Sequence, residues 1–211
     1  MNTAIADQSL FDQSVVYPVV ETFHSVQGEG TWTGTNAFFI RLAGCDVGCP
    51  WCDTKPSWNA KPHPHYSVAD LIAEVVQANP AIAIITGGEP LLHDLAPLTR
   101  SLNKQNIPVH LETSGAHPFS GKFDWVTFSP KQFKSPDPSI YPLVSELKVV
   151  VVTEFDLKWA EQQAALVSAN TPKFLQPEWN SPQSKDLIMD YVLQNPQWRV
   201  SLQTHKFLQI R

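Results

Sequence analysis

A single α/β domain built on a parallel sheet is the fold this sequence predicts. Three observations predict it. The chain has 211 residues with 43% hydrophobic and 17% charged content, its short β-branched runs alternate with stretches of helical spacing, and polar Gly- and Pro-rich segments follow those runs. The length suits one buried core, and the composition is that of an ordinary folded chain. Strands that alternate with helices pair in parallel, either as an open doubly wound sheet or as part of a (β/α) barrel. In both, ligands gather at the carboxyl ends of the strands.

Residues 1–14 read as a flexible polar tail and residues 15–211 as the single folded domain, opening with the apolar stretch Val15 to Val20. Phe38, Phe39 and Ile40 form a short apolar run ending at Gly44, a buried strand that delivers Arg41 and a cysteine loop. The segment KPSWNAKPHPHY holds three prolines and no period, so it reads as a loop. Ser67 with Asp70 forms a capping box, and Leu71, Ile72, Val75 and Val76 mark one face of the helix it opens. Ile82 to Ile85 is a strand before TGGEP, and a helix from about Asp94 turns Leu95, Leu98 and Leu102 inward. Val109 to Leu111 precedes ETSG, and Trp125 to Phe128 precedes SPK. Leu147 to Val152 is a β-branched strand, Phe155 to Val167 has helical spacing, and a short Phe-Leu run meets QPEW. TGGEP, ETSG, SPK and QPEW all follow strands, so they converge on one rim.

A formal net charge of −5 excludes an enveloping basic surface, so nucleic acid is not an expected partner. The opening MNTAIADQSL lacks a positive start with an apolar run behind it, and no stretch approaches ~20 apolar residues. The expectation is a cytoplasmic protein with no membrane partner.

Three cysteines lie within eight residues and none elsewhere. An odd count cannot close completely into intrachain disulfides, and in a reducing cytosol such a group binds metal or does chemistry. Cys45-x3-Cys49-x2-Cys52 puts three thiolates on one loop able to wrap a cuboidal iron–sulfur cluster. A [4Fe–4S] electron carrier uses four; three leaves one iron open, which points to catalysis. The alternative from these residues is a zinc-binding interaction module whose fourth ligand is His63 or His65, although such sites usually draw ligands from two separate turns. Gly28, Gly30 and Gly34 imitate a dinucleotide fingerprint, but the last gap is one residue too long and no helical pattern follows.

The cysteine spacing resembles the signature of the radical S-adenosylmethionine superfamily. That resemblance implies a partial, modified (β/α) barrel of the radical S-adenosylmethionine type, with Cys45, Cys49 and Cys52 holding a [4Fe–4S] cluster. It further implies that S-adenosyl-L-methionine chelates the open iron and is cleaved by an electron from the cluster into methionine and a 5′-deoxyadenosyl radical. Trp51 matches the superfamily residue that contacts adenine, with Cys52 and Asp53 beside it. TGGEP, with Gly88, matches the glycine-rich segment for the amino group, where absent side chains admit close backbone approach. Thr113 and Ser114, then Ser129, Pro130 and Lys131, then Gln176, Pro177, Glu178 and Trp179 match contacts to ribose, carboxylate and adenine.

The flanks are more specific. SVQGEG, Arg41, the cysteine loop, CDT, TGGEP, ETSG, SPK and the terminal QTHKFL together resemble the 7-carboxy-7-deazaguanine synthase family over most of the chain. The resemblance implies a lyase of queuosine and 7-deazapurine biosynthesis, a tRNA modification pathway, that contracts the ring of 6-carboxy-5,6,7,8-tetrahydropterin with loss of ammonia. It places substrate contacts at Val26, Gln27, Gly28, Arg41, Thr86, His205 and Arg211, with the Arg41 guanidinium suited to a carboxylate. It implies Mg²⁺, a hard ion for which the Thr54 hydroxyl plus substrate oxygens suffice. A homodimer and a flavodoxin-like reductant complete the expectation. Another radical enzyme, such as a glycyl-radical activase, would share the cysteines and TGGEP but lack QGEG and CDT.

Overall fold

The computed structural model describes residues 14–211, so the expected tail lies outside the described residues except for Ser14. In chain order the strands are β1 (Val16–Val26), β2 (Asn36–Leu42), β3 (His65–Ser67), β4 (Ile82–Gly87), β5 (Val109–Thr113), β6 (Trp125–Phe128), β7 (Glu146–Val151), β8 (Lys173–Pro177) and β9 (Trp198–Val200). The α-helices are α1 (Val68–Ala78), α2 (Ala96–Asn103), α3 (Glu154–Ala164), α4 (Pro182–Gln194) and α5 (Thr204–Leu208). The strands form one sheet in the order β3-β1-β2-β4-β5-β6-β7-β8-β9, parallel from β2 to β9 and unclosed at its ends. This is the partial barrel.

Side-chain alternation sorts the strands into two faces. Ile40, Leu42, Ala83, Ile85, Leu111, Leu147 and Val149 pack outward into the main core with Leu71, Val75, Leu98, Leu102, Leu157 and Ile188 from the helices. Ala37, Phe39, Ile82 and Ile84 face the concave side with Phe23 and Trp32. β4 is buried almost throughout, the pattern of a strand covered on both faces. The Ser67–Asp70 capping box opens α1 as expected, its two bonds 3.1 and 3.3 Å long. Leu71 and Val75 are buried, whereas Val76 is 47% exposed, so the inward face is narrower than its spacing suggests.

Two expectations change. The segment from Lys55 to Tyr66 is not loop throughout: it contains a 3₁₀ turn over Lys55–Trp58 and ends in β3, an edge strand against β1. The first strand runs on to Val26 and pairs antiparallel with β2, because residues 27–35 are too few for a crossover helix. That connection instead crosses the concave face. Gln27 Nε2 donates to Glu112 on β5 (2.8 Å), Thr31 N to Glu146 on β7 (3.0 Å), and Gly30 N to Ser201 Oγ beyond β9 (3.1 Å).

Candidate active site

The cysteine loop leaves the end of β2. Its backbone is anchored by the 3₁₀ turn that follows it, Gly44 N donating to Ser57 O (2.7 Å) and Cys45 N to Trp58 O (3.1 Å). All three thiols are free and pack with Val47, Trp51 and Ala116. Burial pushes the Cys45 thiol up and the Cys49 thiol up to about 11, and the neighbouring cysteines add to both. Uncomplexed, Cys45 and Cys49 carry neutral thiols, so a metal cluster would load there with release of protons. Among the described residues, no three His, Cys, Asp or Glu side chains are grouped closely enough for a single metal ion. A cuboidal cluster takes one thiolate per iron and needs no such convergence, so three thiols on one loop beside an open cavity fit it. His63 sits with Nε2 2.9 Å from Pro56 O, and His65 pairs in β3 with Pro18.

Beside the loop lies a cavity of about 280 Å³ on the concave face at the carboxyl ends of the parallel strands. Every site residue expected from the sequence lines it except Pro130. Gly88 comes against the cysteine loop so closely that a Cβ there would collide with Gly44 O, and Gly88 N donates to Leu42 O (3.0 Å). Thr113 and Ser114 both donate their hydroxyls to the buried carboxylate of Glu89. Those hydroxyls can therefore offer a ligand acceptor oxygens but no proton. Lys131 donates to Ser129 O (2.6 Å) and Oγ (2.5 Å), and its ammonium lies 5.6 Å from the Trp51 ring centre. Burial brings its pKa down to about 8 against the pull of Cys49. Gln176 accepts from Ser201 Oγ (2.9 Å), and Glu178 holds Asn180. Trp179 stays 47% exposed, edge-on to Phe207 and 5.2 Å from the Lys206 ammonium.

The remaining expected residues line the wall beside β1. Arg41 donates Nε to Glu21 Oε1 (2.9 Å), and its guanidinium lies 5.7 Å from the Phe23 ring centre. Glu21 also meets Arg211 Nη1 at 3.3 Å, while Ser25 Oγ donates to Arg211 O (2.5 Å). Thr86 donates to Glu112 Oε2 (2.9 Å). Thr54 precedes the 3₁₀ turn without capping it through its side chain, and its hydroxyl lies 3.6 Å from Cys52 Sγ. The C-terminal α5 lies over the QGEG loop: Thr204 N donates to Gly28 O (3.0 Å), Lys206 pairs with Asp53 (2.7 Å), and His205 occupies the space a Cβ on Gly28 would take. Burial holds the His205 imidazole below its usual pKa.

Several cavity residues escaped the sequence reading: Glu29, Glu112, Lys148 and Gln203. Glu29 is ion-paired with Lys148 and accepts from Gln203 (2.9 Å). Glu89 was also missed; it stands behind the cavity, 1% exposed. The signal existed for two of them, because Glu112 and Lys148 are charged residues within buried strands, on the inward phase of the alternation.

Residues 39–132 match the Radical SAM superfamily. The chain is 53% identical to the 7-carboxy-7-deazaguanine synthase of Synechocystis sp. (94% of this chain, 95% of that one) and 47% identical to that of Flavobacterium psychrophilum (96% and 97%). The synthase of Escherichia coli K12 is 33% identical, with 92% and 99% coverage. The crystal structure of QueE from Escherichia coli superposes with a TM-score of 0.81 at 31% identity, covering 92% of this chain and 97% of that one.

Proposed function

The chain belongs to the 7-carboxy-7-deazaguanine synthase family of radical S-adenosylmethionine enzymes, and from that premise we propose a role for each part of its cavity. The reaction is the radical-mediated ring contraction of 6-carboxy-5,6,7,8-tetrahydropterin to 7-carboxy-7-deazaguanine with loss of ammonia, in 7-deazapurine and queuosine biosynthesis. The observation that carries the assignment is one cavity at the strand ends that unites the three cysteines, QGEG, Arg41, the strand-end segments and the C-terminal helix.

Cys45, Cys49 and Cys52 would hold the [4Fe–4S] cluster. When bound, the cluster and S-adenosyl-L-methionine would supply radical hydrogen-transfer chemistry at substrate C6. The protein's own work is positioning. Trp51, Asp53, Gly88, Ser129, Lys131 and the Gln176–Trp179 segment would line the cofactor, with Thr113 and Ser114 accepting from it. Lys131 would be a cation for its carboxylate. Glu112, held by Gln27 and Thr86, presents carboxylate oxygens inside the cavity. These suit the N–H donors of an amino-pyrimidinone edge. Arg41, with Nε committed to Glu21, has its Nη groups left for the substrate carboxylate. Val26, Gly28, His205 and Arg211 would close the substrate from the β1 side, and such closure excludes competing hydrogen donors.

The Thr54 hydroxyl, unused as a cap, would be the protein's ligand to Mg²⁺, with waters and substrate oxygens completing the shell. A homodimer, a flavodoxin-like reductant and a cytoplasmic location are proposed from the resemblance and the free thiols. No helix among the described residues is long and apolar enough to cross a membrane.

The test is anaerobic turnover of substrate deuterated at C6. Deuterium should enter 5′-deoxyadenosine or recovered S-adenosylmethionine, the ring-contracted product should form, and product should exceed cofactor irreversibly consumed. Cofactor cleavage without deuterium transfer would leave the superfamily standing and remove the substrate.

A further inference from the structure

Asp46 is the first residue inside the cysteine loop, and it is not alone. Lys134 Nζ donates to Asp46 Oδ2 at 2.6 Å, while His117 Nε2 lies 3.0 Å from Asp46 Oδ1 and 3.1 Å from Lys134 Nζ. The three side chains come from three loops, each following a different strand: β2, β5 and β6. They are far apart in sequence, with 71 positions between Asp46 and His117 and 88 between Asp46 and Lys134. None of the three lines the cavity, so substrate and cofactor binding do not account for the grouping.

The loop after β6 also meets the other end of the cysteine loop. A bridge between Lys131 and Lys134 draws it into a tight turn. From that turn Phe133 sets its ring against Trp51 at 6.4 Å between centroids, and Lys131 lies over the face of the same indole. One turn therefore holds Asp46, next to Cys45, and Trp51, next to Cys52.

We propose that Asp46, Lys134 and His117 form a clamp that keeps the Cys45–Cys52 loop in its ligating shape, Asp46 and Lys134 acting as positioning residues for the cluster. The proposal rests on the reading of these cysteines as cluster ligands. The physical case is entropic and electrostatic. Three thiols on a short loop must be fixed at separations one cube can span, and each residue fixed beforehand removes ordering cost from the loading step. Three thiolates and a reducible cluster place net negative charge beside Asp46, and Lys134 offsets it, so removing either partner changes the field at the cluster with opposite sign.

The test uses the full chain in both forms. In cluster-free protein, Asp46→Asn and Lys134→Met should each speed amide exchange over residues 45–52 by about two- to fivefold, the scale of a partly exposed ion pair, leaving exchange in β4 and β5 unchanged. In loaded protein both should speed chelator-driven loss of the cluster by a similar factor. Lys134→Arg should restore both rates, as should the exchanged pair Asp46→Lys with Lys134→Asp. The reduction midpoint should fall in Lys134→Met and rise in Asp46→Asn, which a merely looser loop would not produce. Wild-type exchange in both single variants, or no recovery in the exchanged pair, overturns the clamp. A wild-type chain that binds no iron and sulfide would sink the cluster assignment instead, and the exchange measurement would still decide the clamp.

Discussion

Lys148 on β7 and Glu29 in the loop after β1 form an ion pair inside the cavity, although 119 positions separate them. Burial by itself would raise the Glu29 carboxyl, but the Lys148 charge and hydrogen bonds from Lys148 and Gln203 outweigh it and bring the pKa to about 2. The pair ties QGEG to the sheet across the concave face. Removing the cation should leave a buried unpaired carboxylate, so Lys148→Met should cost about 3–5 kcal/mol of stability in denaturant unfolding. A loss within error of zero would show that Glu29 finds another partner.

The same pair sets an acid limit. Because the folded pKa of Glu29 lies below the unfolded value of 4.5, its contribution is complete above that pH and is lost as pH falls toward about 2. Glu29→Gln should flatten the stability profile between those values, as read by thermal midpoints across the acid range. Parallel profiles for the two proteins would contradict the assignment.

Glu89 accepts from Leu91 N (3.0 Å), Thr113 Oγ1 (2.5 Å), and Ser114 N (2.8 Å) and Oγ. Glu89→Gln turns an amide toward those donors and loses charge-assisted bonds, each worth about 1.5–3 kcal/mol. Lower unfolding stability together with weaker S-adenosylmethionine binding is expected by calorimetry. A variant weakened in neither would remove Glu89 as the organiser of ETSG.

Cys49→Ser should lose the brown iron–sulfur chromophore and reductive cleavage of S-adenosylmethionine while circular dichroism stays near wild type. Retained cleavage would strike Cys49 from the ligand set. Thr54→Ala should keep the chromophore yet weaken stimulation by Mg²⁺, and an unchanged Mg²⁺ titration would refute that ligand.

Gly28 has His205 where a side chain would go. Gly28→Ala should push the C-terminal helix from the loop at an overpacking cost of ~1–3 kcal/mol, seen as a KM raised about tenfold with the chromophore intact. An unchanged KM would mean that α5 does not close the substrate site.

Local chemistry made much of this protein legible in one dimension. The cysteine spacing, the Ser67–Asp70 cap, the apolar run Ile82 to Ile85, and the turn residues after each strand act over a few positions, where neighbours along the chain are neighbours in space. What the chain order could not express is which distant groups meet. The antiparallel β1, the passage of QGEG across the concave face, the Lys148–Glu29 pair, the Glu89 carboxylate behind ETSG and the Asp46–Lys134–His117 grouping arise only when the sheet curves and brings its loops together. The sequence by itself determined the main strands, the first three helices and the cysteine ligands, because periodicity and spacing are properties of the covalent chain. Only the tertiary structure decided the charge partners, because a buried charge is stabilised by whichever opposite group the fold places within a few ångströms.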